Sequence, residues 1–321
     1  MAISIRDRRF LRVVLLLAIV ALVAASCSDS DDGDGAAGPS GVPSSAQRYV
    51  ANAAQFVEAA DWDAAEERTV ELSEFAFTPE EMTLEAGKPY ILKVVNKGDV
   101  KHEFTAGEFF RSVATRKAET AQSEVKVPFF TEIEVFAGET VEIYLIPLIA
   151  GTYELVCEIE GHFEAGMFGT ITVTGETPAS PALELADVTL GPWAQDGPAL
   201  VEAADWDAAE KLTVELTEMS FTPKEITLTS GKPYELKVLN VGDVKHEFTV
   251  EKFFGLVAFR KAEDASGEFK APAPHEIEVF SGKEIEVYLI PTQPGVYDLV
   301  CEIEGHFEAG MFGTITVAPA A

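Results

Sequence analysis

Tyr153-Glu154-Leu155-Val156-Cys157-Glu158-Ile159-Glu160-Gly161-His162-Phe163-Glu164-Ala165-Gly166-Met167 decides how this chain is read. The alternation puts Tyr153, Leu155 and Cys157 on one face of a strand, so the cysteine closes a buried stripe at its inward end. Past Cys157 the chain enters a loop of Gly161, Phe163, Ala165 and Gly166 that carries His162, and Met167 precedes a last strand opening at Gly169. The spacing is C-x4-H-x4-M. The whole block Leu155 to Val173 recurs unchanged as Leu299 to Val317, an offset of 144 residues.

The same offset relates Val57-Glu58-Ala59-Ala60-Asp61-Trp62-Asp63-Ala64-Ala65-Glu66 to Val201 through Glu210. A constant offset with no net insertion defines two repeats, 57–173 and 201–317, each of a size that suits one small sandwich domain. Residues 174–200 hold Gly175, Pro178, Pro181, Gly191 and Pro192 and read as a linker. Thr69–Leu72, Tyr90–Val95, Glu132–Phe136, Val141–Ile146 and Gly169–Val173 are short apolar or alternating runs parted by turns such as Ala86-Gly87-Lys88-Pro89, which predicts an all-β fold. Helix is expected only around Trp62 and in the excursion from Gly107 to Ala121, while Trp62 and Trp206 are expected to close one end of each sandwich.

The chemistry gathers once per repeat. His102, in Gly98-Asp99-Val100-Lys101-His102-Glu103-Phe104, lies 55 residues before Cys157, so the first set is His102, Cys157, His162 and Met167 and the second is His246, Cys301, His306 and Met311. A thiolate, two imidazoles and a weak axial thioether are the ligands of a blue (type 1) copper site, and soft sulfur with borderline nitrogen suits both Cu(I) and Cu(II). Four of the five histidines in the chain stand at these matched positions. His275 has no counterpart in the first repeat and is expected at the surface. A Cys157–Cys301 disulfide would require the two domains to meet pole to pole, so two metal thiolates are the better account of these cysteines in an oxidising compartment.

These residues resemble the cupredoxin family, and the loop spacing is similar to that of auracyanin and rusticyanin rather than plastocyanin. The resemblance covers both repeats and implies two tandem Greek-key β-sandwiches, each with one type 1 copper, in which His162 and His306 are the more exposed ligands and the route for electrons. Glu103 and Glu247 depart from the family pattern, since plastocyanin-like members often carry Asn there, and this touches the hydrogen bonding around the ligands. Two-domain relatives include copper nitrite reductase and the multicopper oxidases, whose catalytic copper needs further His ligands. Here only His275 remains, so a non-enzymatic electron carrier is expected. The competing function with the same ligands is copper storage or delivery.

Arg6, Arg8, Arg9 and Arg12 followed by the apolar stretch Leu11 to Ala25 read as a signal peptide, residues 1–27, too short to span a bilayer comfortably. Its end, Leu22-Val23-Ala24-Ala25-Ser26-Cys27, resembles a bacterial lipobox, which implies lipidation at Cys27, an extracytoplasmic protein and attachment to a bacterial membrane. Residues 28–56, rich in Ser, Asp, Gly, Ala and Pro up to Ala46, are read as a flexible tether. The formal charge of −30 repels nucleic acid and excludes that class of partner. The acidity fits either solubility in a salty habitat or the steering of a basic redox partner, such as a cytochrome or another respiratory-chain component, and composition does not separate the two.

Overall fold

A computed structural model describes residues 48–320. The expected all-β fold is present: each repeat folds as a sandwich whose apolar face points inward. Strand Tyr90–Asn96 alternates strictly between buried and half-buried residues, with Tyr90, Leu92, Val94 and Asn96 inward. Strand Thr140–Pro147 pairs with it antiparallel in the register Ile143↔Leu92, and Glu66–Ser73 flanks it in parallel. The other face of the sandwich carries His102–Thr105, Gly151–Val156, Phe168–Thr174 and Glu81–Glu85.

The repeats are not two beads on a string. Strand Ser123–Lys126 of the first repeat pairs with Glu276–Val279 of the second, and Gly267–Lys270 of the second pairs with Glu132–Val135 of the first. The two pairings are related by the repeat offset, as in an isologous two-fold interface. Each large sheet is therefore 11-stranded and runs through both repeats. Strands that would be open edges in a lone domain are consumed. Lys126 Nζ lies 2.5 Å from Glu276 and Lys270 Nζ 2.6 Å from Glu132, so opposite charges face each other across both joints.

The pseudo-symmetry breaks at its centre, where Asp264 stands opposite Thr120. The buried Asp264 carboxylate accepts 2.6 Å hydrogen bonds from the Thr120 and Ser123 hydroxyls of the first repeat. It also accepts from the backbone N–H groups of Ser266 and Gly267. One hydrophobic core includes residues of both repeats, with the Phe130 and Phe269 rings 6.1 Å apart across the joint.

Two segments differ from their expected roles. Residues 48–56, read as the end of the tether, contain strand Arg48–Val50 and the start of helix Ala53–Ala59. The span 174–200, read as linker, contains strand Leu185–Asp187, which pairs with Arg48–Val50. The cause is a small aromatic cluster: Tyr49 packs on Trp193 at 5.1 Å and on Phe129 at 5.4 Å, so both segments gain a buried anchor. The predicted helix near Trp62 is Ala53–Ala59 followed by a single 3₁₀ turn, Trp62–Ala64. The excursion after Gly107 is a short helix, Gly107–Arg111, followed by strand Val113–Glu119. Trp62 donates its Nε1–H to Val57 O and lies against Arg116 and Tyr144, a packing role, and Trp206 repeats it. The signal and lipobox readings, Cys27 included, lie outside the described residues.

Candidate metal centre

Strand Gly151–Val156 ends where the site begins. It pairs with Phe168–Thr174 in the register Leu155↔Gly169, and Val156 meets Thr105 on the histidine-bearing strand. Cys157 follows at once and is fully buried. The loop then closes on itself: His162 N–H donates to Ile159 O, Met167 N–H to His162 O, and Cys157 N–H to Met167 O. Gly161 and Gly166 hold φ of 84° and 111°, backbone that a side chain would strain, which is why glycine flanks the ligands there.

His102 opens strand His102–Thr105 and is held from behind. The fully buried Asn96 donates to Val100 O and Val135 O and accepts from Gly98 N–H, so one amide ties the turn before His102 to two strands. A β-carbon at Gly98 would come within 2.6 Å of the Glu74 carboxylate and 2.8 Å of His102 Nε2, so a larger residue would have to displace the carboxylate and the ligand ring. Asn240 and Gly242 repeat the arrangement. Neither Asn96 nor Glu74 stands out in the sequence. Their recurrence at the repeat offset, as Asn240 and Glu218, is the signal that could have marked them.

Within each repeat the ligand atoms of His102, Cys157 and His162, and of His246, Cys301 and His306, all lie within 4.8 Å of one another. His102 Nδ1 is 3.3 Å from His162 Nδ1, and Cys157 Sγ is 3.4 Å from the same nitrogen. Met167 and Met311 are fully buried and joined to this group by the backbone hydrogen bonds of the loop. Both cysteines are free thiols, each in its own cluster. His275 is exposed and belongs to neither cluster. His102 and His246 are fully buried, while His162 is partly exposed and His306 is 8% exposed, so in each pair the loop histidine is the outer one.

The donors fit a soft metal ion. Both ring nitrogens of His246 are buried without a hydrogen-bond partner, a costly arrangement for a protein atom unless something else binds there. Burial, and then the facing His162, lower the His102 pKa and keep its ring neutral with a lone pair to offer. Burial likewise raises the Cys157 thiol, so the thiolate form requires a cation beside it. Three N/S donors at this spacing, with a thioether held nearby, suit copper rather than the oxygen-seeking ions.

Glu103 ties the two ligand segments together. Its backbone N–H points at Cys157 Sγ at 3.4 Å, and its carboxylate accepts from Glu158 N–H at 2.9 Å, joining the two ligand segments. Glu247 does the same to Cys301 and Glu302. Burial, with Glu132 and Glu276 respectively adding repulsion, pushes both carboxyls up to about 7. A raised folded pKa means stability that is full below the ordinary carboxylate range and lost as pH climbs through 7. His102 and His246 act in the opposite sense as pH rises through their ordinary 6.5, and they offset part of this loss. Metal-free protein should therefore lose about 1 kcal/mol of stability between pH 6.5 and 7.5. Chemical denaturation across that window checks it, and Glu103→Gln with Glu247→Gln should flatten the slope; an unchanged slope would contradict the assignment.

The Cupredoxin-like domain family matches residues 48–173 and 198–317. The chain is 31% identical over 99 residues to the copper-resistant cuproprotein CopI of Rubrivivax gelatinosus, a match that spans 31% of this chain and 60% of that protein. Among solved structures, dithionite-reduced auracyanin of Roseiflexus castenholzii is 20% identical, with 35% of this chain and 99% of that one covered and a TM-score of 0.26. The copper-containing nitrite reductase of Thermus scotoductus is 16% identical, with 79% and 62% covered and a TM-score of 0.29. With that family matched across both repeats, the chain belongs to the proteins built of cupredoxin-like domains, of which it carries two.

Proposed function

We propose that each repeat binds one copper ion as a type 1 centre, through His102, Cys157, His162 and Met167 in the first and His246, Cys301, His306 and Met311 in the second, and that the chain carries single electrons. The observation behind this reading is the pair of buried His-Cys-His clusters, in each of which the loop histidine is the more exposed of the two. A bound copper supplies one reversible electron per centre. The protein's part is to hold the donors in one arrangement for both oxidation states, which the braced loop and Asn96 favour. Around His162 the surface is apolar, with Phe75, Val100, Phe163 and Phe168 all exposed, and Val244, Phe307 and Phe312 repeat this around His306. Exposed apolar rims suit brief docking of a redox protein against the outer histidine.

Catalysis is outside the proposal, since the two clusters are the groups of His, Cys, Asp and Glu found close enough to hold a metal among the described residues, and each is filled by its own donors. The location proposed is extracytoplasmic, lipid-anchored at Cys27 to a bacterial membrane. A second reading, copper storage or delivery, is favoured by the copper-resistance name of the Rubrivivax relative. One experiment separates the two. Reduced, copper-loaded protein mixed with a basic oxidised cytochrome should pass electrons at a rate that falls as salt rises, because the chain's −30 charge steers the encounter. Failure to exchange electrons, with rapid loss of copper to a cuprous chelator, would favour delivery.

A further inference from the structure

The two centres share their ligand segments residue for residue. Gly98 through Thr105 is identical to Gly242 through Thr249, and Leu155 through Val173 to Leu299 through Val317. They differ in the residue at the tip of the hairpin beside each site. In each repeat a tight hairpin joins two strands beside the site, Glu66–Ser73 to Ala76–Thr78 and Glu210–Thr217 to Ser220–Thr222. The second tip residue is Phe75 in one and Met219 in the other. Both hold positive φ, 65° and 60°, the left-handed region that a non-glycine residue occupies only when its surroundings impose it. The tip is pinned to the ligand turn, for Glu74 accepts Asp99 N–H at 2.6 Å and Glu218 accepts Asp243 N–H at 2.5 Å. The hairpin is thus aimed at the metal pole in both repeats.

The outcome at the pole differs. Phe75 meets His162 edge-on at 5.3 Å but stays 45% exposed itself, and His162 is half-buried. Met219 instead lies half-buried against the core, and His306 is 8% exposed. A flexible thioether side chain folds into such gaps where a rigid ring cannot. Excluding water from a metal site disfavours the more highly charged oxidation state and so raises the reduction potential.

We infer that the two centres are inequivalent, with the hairpin-tip residue as a positioning residue that sets the difference, so that an electron settles on the Met219 side. This rests on the electron-carrier reading. The exchange is balanced within the chain: the first centre goes from Cu(I) to Cu(II) as the second goes from Cu(II) to Cu(I), with no proton or outside reagent. Lys97, where the second repeat has Val241, works against this order by placing a positive charge near the first centre. It is exposed and screened by salt, so its effect is the smaller one. Ser281, where the first repeat has Ala137, donates to Gly242 O, behind the turn rather than over the imidazole.

The test measures midpoint potentials by optical redox titration of Cys301→Ser, which leaves the first centre, and of Cys157→Ser, which leaves the second. The second centre should hold the electron at least tenfold more strongly, a separation of about 59 mV or more. Phe75→Met should raise the first centre toward the second and Met219→Phe should lower the second toward the first. Both substitutions keep a β-carbon on the same strained backbone, and circular dichroism of the metal-free proteins checks that the fold is unchanged. Coloured, reversible centres with equal potentials, or tip exchanges that leave the potentials in place, would overturn the inequivalence and leave the electron-carrier reading standing. Absence of any coloured reversible couple in either variant would overturn both.

Discussion

Cys157→Ser should remove about half of the visible charge-transfer absorbance and one tightly bound copper, leaving the other centre intact. The thiolate is the donor that gives a type 1 site its colour and much of its hold on copper, and a serine hydroxyl replaces neither function. The two clusters draw their donors from separate repeats, so the losses should be independent and additive. Cys301→Ser should give the complementary half, and the double variant should be colourless. Visible spectra with metal analysis on the three variants check this. A single variant that loses all colour would mean that the repeats share one metal.

Asp264→Ala should cost about 2–4 kcal/mol of folding stability, a large effect for one residue at a domain joint. The substitution leaves the Thr120 and Ser123 hydroxyls and the Ser266 and Gly267 N–H groups facing a hole. Removing a carboxylate that burial already strains offsets part of that cost, since desolvation raises the Asp264 pKa. Asp264→Asn keeps an acceptor without the charge and should stay near wild type. Because both 11-stranded sheets and the core run through the joint, the chain should unfold in one transition that shifts as a whole. Thermal melts followed by circular dichroism and by tryptophan fluorescence check both points, and two separate transitions, with the variant moving neither, would contradict them.

The contrast between these two predictions reflects what a sequence can carry. The His-Cys-His cluster was legible because its residue types are rare and their spacing is repeated, and because the strand ending at Cys157 alternates between inward and outward positions. Long sandwich strands such as Tyr90–Asn96 were legible for the same reason. The joint was not. Ser123–Lys126 and Gly267–Lys270 are four-residue strands rich in Lys and Glu, and nothing in their periodicity names a partner about 150 residues away. The anchoring of Arg48–Val50 and Leu185–Asp187 depends on Tyr49 and Trp193 meeting at Phe129, three residues far apart in segments whose composition reads as loop. Glu103 shows a third case. Its position beside a ligand was plain, yet whether a carboxylate could make the tie to Glu158 N–H depended on the distance between two loops.

Copper titration of the purified metal-free chain, followed at once by absorbance and by bound metal, tests the central claim most directly. The expected result is an intense visible charge-transfer band that grows linearly to an end point of two copper ions per chain, one for each His-Cys-His cluster. Saturation at one copper, or two copper ions bound without that band, would contradict it.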